Sequence, residues 1–198
     1  LYEFALSADA TVVAAAGYLP NGGNSTIKIW KTETSRPLDQ LQQVGEIGEF
    51  KGRIDRMMFT ADGGRLVAIG REEKPPADRL NAGDDLQRVA VVWEVATGKK
   101  LQHFVITDEA DWSYAVTREG TMLAVGTGGD TTVLYDLESG KPLEQFDCFG
   151  AVRAVAFSPS GRWLAAGGRD TVIRLWDVSG GDARMQLKGH KSWVNSLA

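Results

Sequence analysis

A single cysteine, Cys148, stands among the 198 residues, so no internal disulfide can form. Histidine is almost as scarce. With only His103 and His190, a His-rich zinc or haem site cannot be assembled. No apolar run approaches the roughly 20 residues that a membrane-spanning helix needs, and no basic-then-apolar start resembles a signal peptide. There is no basic excess either. The net charge is −4 and the pI about 5.3, which argues against wide electrostatic capture of nucleic-acid phosphates. The chain begins at Leu1 without a methionine, so the N-terminus of the parent protein is expected upstream.

Several motifs lack the context that would make them chemical. Asp108-Glu109-Ala110-Asp111 spells a helicase box, yet no G-x-x-x-x-G-K-[ST] loop accompanies it, and a solvated loop is the better reading. Gly126-Thr127-Gly128-Gly129 is a turn between strands with no helix to follow, so no dipole-assisted anion site is expected. Neither Asp84-Asp85 nor the Asp108/Glu109/Asp111 cluster offers a regular calcium loop. Cys148 has no clear base nearby in sequence and reads as small buried packing. No catalytic residue, cofactor site or metal site is expected.

What the sequence does have is glycine, 23 residues of it, punctuating short runs rich in Val, Ile, Thr and aromatics. That is how an antiparallel, turn-rich β protein reads. Self-comparison exposes a repeat. Leu6-Ser7-Ala8-Asp9-Ala10, Phe59-Thr60-Ala61-Asp62-Gly63, Val116-Thr117-Arg118-Glu119-Gly120 and Phe157-Ser158-Pro159-Ser160-Gly161 are four versions of one turn. Each is followed by an apolar run, then by a run ending in an aromatic: Trp30, Trp93, Tyr135 and Trp176. Val116 and Phe157 are 41 residues apart, within the roughly 40–45 residue period of a four-stranded propeller blade. The longer spacings earlier in the chain come from one kind of loop. Between the second and third runs, 12 residues suffice in repeats 3 and 4, against 17 in repeat 1 and 27 in repeat 2.

Gly161 through Asp177, with Trp176-Asp177 at its end, resembles the WD-repeat family of β-propellers, and Gly189-His190 resembles the Gly-His that opens a repeat there. Repeat 3 has Tyr135-Asp136 at the signature position. Repeats 1 and 2 are degenerate, with Trp30-Lys31 and Trp93-Glu94. The resemblance covers essentially the whole chain. It implies an all-β fold, a β-propeller of four-stranded antiparallel blades. Blade boundaries are expected near 1–48, 49–105, 106–147 and 148–188, with the first strand of a fifth blade at 189–198. It also implies a within-blade hydrogen-bond relay of His, Ser/Thr, Asp and Trp, which is incomplete here. Repeat 4 matches at Asp170 and Trp176 but has Cys148 and Ala166 at the other two positions. Repeats 1 to 3 place Asn24, Gln87 and Gly129 at the Asp position, and Thr107 replaces the His of repeat 3. Trp30, Trp93 and Trp176 are expected in the blade core.

The function implied is that of a non-enzymatic scaffold binding a protein or peptide partner, with no nucleic acid and no membrane involved. The alternative is a quinoprotein- or lactonase-like propeller with an axial-channel site. Against it, the candidate first strands Trp112–Val116 and Val152–Phe157 offer mostly apolar residues. In this family the loop joining strands two and three shares a face with the loop joining successive blades. The insertions fall on that face, so the candidate partner-binding residues are Tyr18, Arg71, Glu72, Glu73, Lys74, Arg79, Asp108, Glu109, Asp111 and Trp112. Tyr18 and Trp112 are the aromatic anchors. The alternative for the 71–88 insertion is drift in solvent, and deleting Glu72–Leu86 is expected to leave stability nearly unchanged. Because most WD-type propellers close with seven blades, further blades are expected outside this segment.

Overall fold

The computed structural model describes residues 3–17, 24–32, 42–75, 78, 85–107, 110–180 and 183–198; for Gln42, Val44, 110–112, Ala183 and Arg184 it describes the backbone alone. Every regular element of appreciable length among them is a β-strand, and the sixteen strands form four sheets of four. The first sheet holds β1 (Glu3–Leu6), β2 (Val12–Gly17), β3 (Ser25–Lys31) and β4 (Gln42–Phe50). The second holds β5 (Arg53–Phe59), β6 (Arg65–Glu73), β7 (Leu86–Glu94) and β8 (Lys100–Val105). The third comprises β9 (Ala110–Val116), β10 (Met122–Thr127), β11 (Thr131–Asp136) and β12 (Pro142–Asp147). The fourth comprises β13 (Val152–Phe157), β14 (Trp163–Gly168), β15 (Ile173–Asp177) and β16 (Ala183–Leu187). Each sheet is an antiparallel meander in chain order, the arrangement that short polar turns between alternating runs can make without crossovers.

The chain divides into two compact units, Leu1–Ile106 and Thr107–Ala198, of two sheets each. Within each unit the first strands lie side by side, β1 with β5 and β9 with β13. The core of each unit is the layer between its two sheets. There the strand-three aromatic meets a phenylalanine from the fourth strand of the preceding sheet. Phe50 and Trp93 have ring centroids 6.5 Å apart at 47°, and Phe146 and Trp176 are 5.3 Å apart at 43°. Trp93 and Trp176 are fully buried and Tyr135 nearly so, whereas Trp30 is only half-buried. Burying such rings is the largest single apolar contribution each sheet can make.

Two close approaches shape the first strands. A Cβ added to Gly70 would lie 2.1 Å from the Arg53 carbonyl, and one added to Gly168 would lie 1.9 Å from that of Ala151. Only glycine fits there. At the same height the pairing slips. Ile54 pairs with Gly70 but Arg56 with Ile69, and Val152 pairs with Gly168 but Ala154 with Gly167. Asp55 and Arg153 are thus the extra residues of matching β-bulges, a device that re-aims a side chain.

Candidate functional site

The insertion of repeat 2 opens as strand, not as loop. β6 and β7 pair without interruption from Arg65↔Glu94 out to Glu73↔Leu86, and the Lys74 amide donates to the Asp85 carbonyl at 2.6 Å. Both strands have nine residues, against six in β10 and β14. Arg71, Glu72 and Glu73 therefore belong to an extended hairpin, which corrects the expectation of a loop from 71 to 88.

Two carboxylates fix the root of that hairpin. Glu72 is 8% exposed. Its carboxylate accepts from Gln87 Nε2 at 3.0 Å and lies 3.0 Å from His103 Nε2 on β8. Asp55, whose side chain is 1% exposed, has three guanidiniums around it. Arg53 Nε is 3.0 Å from Oδ1, while Arg71 Nε at 3.6 Å and Arg88 Nη1 at 3.4 Å approach Oδ2. The Arg71 Nε and Asp55 Oδ1 atoms are buried without a well-aimed hydrogen bond among the described residues, so much of this attraction is Coulombic rather than directional. In a site of reduced dielectric it still restrains β6 and β7 against β5.

Beside this root lies a cleft of about 970 Å³ whose lining includes Asn24, Phe50, Leu86 and Val91. Its charged lining is Lys51, Arg53, Arg71, Lys74 and Lys100 with Glu49, Glu72 and Glu73, and His103 completes it. The local balance is cationic in a chain whose net charge is negative. Of the partner-binding candidates, Arg71, Glu72, Glu73 and Lys74 come together here. Tyr18, Arg79, Asp108 and Glu109 fall outside the described residues, as do the side chains of Asp111 and Trp112, although 110–112 are backbone of β9. Sequence reasoning missed Asp55 and His103. The signal for Asp55 was a lone acid between two arginines in a run otherwise ending in apolar residues.

The signature residues have visible structural work. Asp136 Oδ1 accepts from the Ser139 amide and hydroxyl, both at 2.6 Å. Asp177 Oδ1 accepts from the Ser179 hydroxyl at 2.7 Å, and its Oδ2 from Arg162 Nε and Nη2 at 3.1 and 3.0 Å. These hydrogen bonds hold both carboxyls below the usual carboxylate range, Ser139 and Ser179 contributing most. Asp170 turns from any relay toward Arg174, whose Nη1 it accepts, and toward the Val172 amide at 3.3 Å. Arg174 Nη1 also donates to the Cys148 carbonyl at 2.6 Å. In repeat 3 the Tyr135 hydroxyl accepts the Thr107 amide at 2.9 Å; burial pushes its titration upward. The Trp93 indole N–H is buried with no acceptor among the described residues, consistent with Gln87 being committed to Glu72. His190 is exposed. Among the described residues no group of three or more His, Cys, Asp and Glu is placed to hold a metal ion.

Residues 140–177 match the family model of the WD domain, G-beta repeat. That stretch runs from just before β12 through β15, so the sequence repeat is offset by one strand from the sheet it helps to build. Among curated proteins, Mitochondrial division protein 1 of Saccharomyces cerevisiae is 28% identical over 203 residues, covering 90% of this chain and 27% of that protein. Transcription initiation factor TFIID subunit 5 of Caenorhabditis elegans is 23% identical over 74% of the chain and 22% of its own length. Small ribosomal subunit protein RACK1y of Oryza sativa is 35% identical over 37% of the chain and 22% of its own length. The chain spans about a quarter of the length of these relatives. Residues 140–177 are a WD repeat by this match, and the four antiparallel four-stranded sheets, each with an aromatic next to last in its third strand, fit a WD-repeat protein with a partial propeller.

Proposed function

We propose that this chain is a non-enzymatic interaction scaffold and that the extended β6–β7 hairpin, with the cleft at its root, is a surface for a protein or peptide partner. The observation that carries the reading is the hairpin's anchoring. A surface meant only to drift needs no buried Asp55 and Glu72 at its base, whereas a binding element gains from being ordered before the partner arrives. Two of the relatives are named as a subunit or subunit protein of larger assemblies, a setting in which rigid scaffolds are used. Tyr18 and Trp112 remain the aromatic anchors to be tried alongside the hairpin. The test is affinity capture with the full-length protein. Arg71→Ala/Lys74→Ala should lose a partner that the unaltered protein retains, while a distant surface change such as Glu144→Gln should not. An identical set of captured partners from both variants would remove the hairpin from the binding surface.

A further inference from the structure

The two matching bulges carry opposite charges. In sheet 2 the bulge residue is Asp55, and Arg71 follows the glycine that ends the close approach. In sheet 4 the same two positions hold Arg153 and Arg169. Sheet 2 neutralises itself there, since Asp55 lies 3.6 Å from Arg71. Sheet 4 has two cations and no acid at these positions. Their guanidiniums instead meet one indole: Cζ of Arg153 is 4.8 Å and Cζ of Arg169 is 5.2 Å from the Trp193 ring centroid. Trp193 is 49% exposed and both arginines are exposed. Neither arginine has a carboxylate partner among the described residues. Asp170, beside Arg169 in the chain, is committed to Arg174 and to the Val172 amide.

We propose that Arg153, Arg169 and Trp193 form a docking site for an acidic peptide segment, each guanidinium taking a carboxylate. The physical case has three parts. Two cations held at one ring repel each other, and an incoming pair of carboxylates relieves that repulsion. The planar forks match carboxylates bidentately, and the indole restrains them beforehand, so less rotamer entropy is lost on binding. Apolar surface is also at hand: a Cβ on Gly150 would lie 3.9 Å from that of Arg169, and the preceding Phe149 is 69% exposed. A nucleic-acid strand fits less well. Single-strand binders use aromatic faces open to bases, and here the indole is already engaged by guanidinium in a chain of net charge −4. This site lies in the unit Thr107–Ala198 and does not depend on the hairpin being a binding surface.

Fluorescence anisotropy with the full-length protein and a fluorescein-labelled peptide of alternating Glu and Gly tests the proposal. Binding should weaken by about tenfold or more in Arg153→Ala/Arg169→Ala and should fade with added salt. Arg153→Lys/Arg169→Lys, which keeps charge and disturbs the fold least, should recover only part of the affinity because the fork is lost. A matched Gln-Gly peptide should not bind. Any of four outcomes overturns the assignment: no binding of the Glu peptide, equal affinity in the unaltered and Lys-substituted proteins, binding of a phosphoserine peptide alone, or tighter binding of an oligothymidylate.

Discussion

At the residue scale, the repeat is held by a device smaller than its signature. In all four sheets the first turn begins with a hydroxyl residue, Ser7, Thr60, Thr117 or Ser158. Its oxygen accepts the amide five residues on, at 2.9 to 3.0 Å. The turn then needs one left-handed residue. Gly63, Gly120 and Gly161 supply it at φ of 67°, 67° and 69°, but the first sheet has Ala10 at 56°. A side chain there costs about 1–2 kcal/mol, offset in part by the extra unfolded-state freedom of glycine. Ala10→Gly should therefore stabilise by about 0.5–1 kcal/mol, a rise of roughly 1–4 °C in Tm. A lower Tm by calorimetry would show that the turn tolerates alanine for another reason. Cys148 permits a second prediction. Burial pushes its thiol up to about 11, against the smaller opposing influence of the Thr132 hydroxyl and Arg174. The native protein at about pH 8 should resist iodoacetamide while the urea-unfolded chain reacts, because the thiolate is the nucleophile. The folded state keeps this proton where the unfolded state has lost it, so the thiol's contribution to stability declines as pH rises from about 9 to about 11. Equal alkylation rates in the two states would contradict the buried placement.

At the element scale, the hairpin and the β14–β15 turn show how charge organises strands. Deleting Glu72–Leu86, harmless if the segment were loop, would remove a buried carboxylate, leave its Gln87 and His103 partners behind, and take away two residue pairs of ladder. A measurable fall in Tm is now the expected result, and an unchanged melting curve would restore the loop description. Just after the β14–β15 turn, Arg174 of β15 is 7% exposed and is paired with Asp170 of the turn. Removing one member of such a pair leaves a buried charge uncompensated, so Asp170→Ala should cost about 3–5 kcal/mol. Replacing both, as Asp170→Ala/Arg174→Met, should recover much of that in urea titrations; a double variant no better than the single one would assign the loss to turn geometry instead. The four-strand meander was legible because turn residues, apolar runs and terminal aromatics recur in order. The hairpin extension was not, since Arg71-Glu72-Glu73 has the composition of a solvated loop. Only three-dimensional pairing shows Glu72 facing Gln87 and His103. The paired bulges were equally hidden: Asp55 stands out as a lone acid between two arginines, but nothing local marks it or Arg153 as a bulge residue until the register slips around them.

At the scale of the whole molecule, each sheet contributes one carboxylate held below its ordinary range by turn hydrogen bonds. Asp9 accepts from the Ser7 hydroxyl and from Thr11, Asp62 from the Thr60 hydroxyl and the Gly64 amide, and Asp136 and Asp177 from Ser139 and Ser179. In each case a hydroxyl contact is the leading cause of the depression. The linkage has a definite sign. A carboxyl whose folded value lies below its unfolded one, near 3.8, adds stability that is present above that value and vanishes as pH falls through the folded value. Because the four groups sit in four different sheets, acid should erode every sheet together rather than release one element first. Tm measured from about pH 6 down to about pH 2.5 should stay nearly level and then fall below about pH 4, the region in which these carboxyls take up protons. The Asp9→Asn/Asp62→Asn/Asp136→Asn/Asp177→Asn variant should start from a lower Tm at neutral pH and show a shallower acid limb. If its acid limb is as steep as that of the unaltered protein, carboxylates elsewhere govern the acid response, and the turn aspartates serve geometry alone.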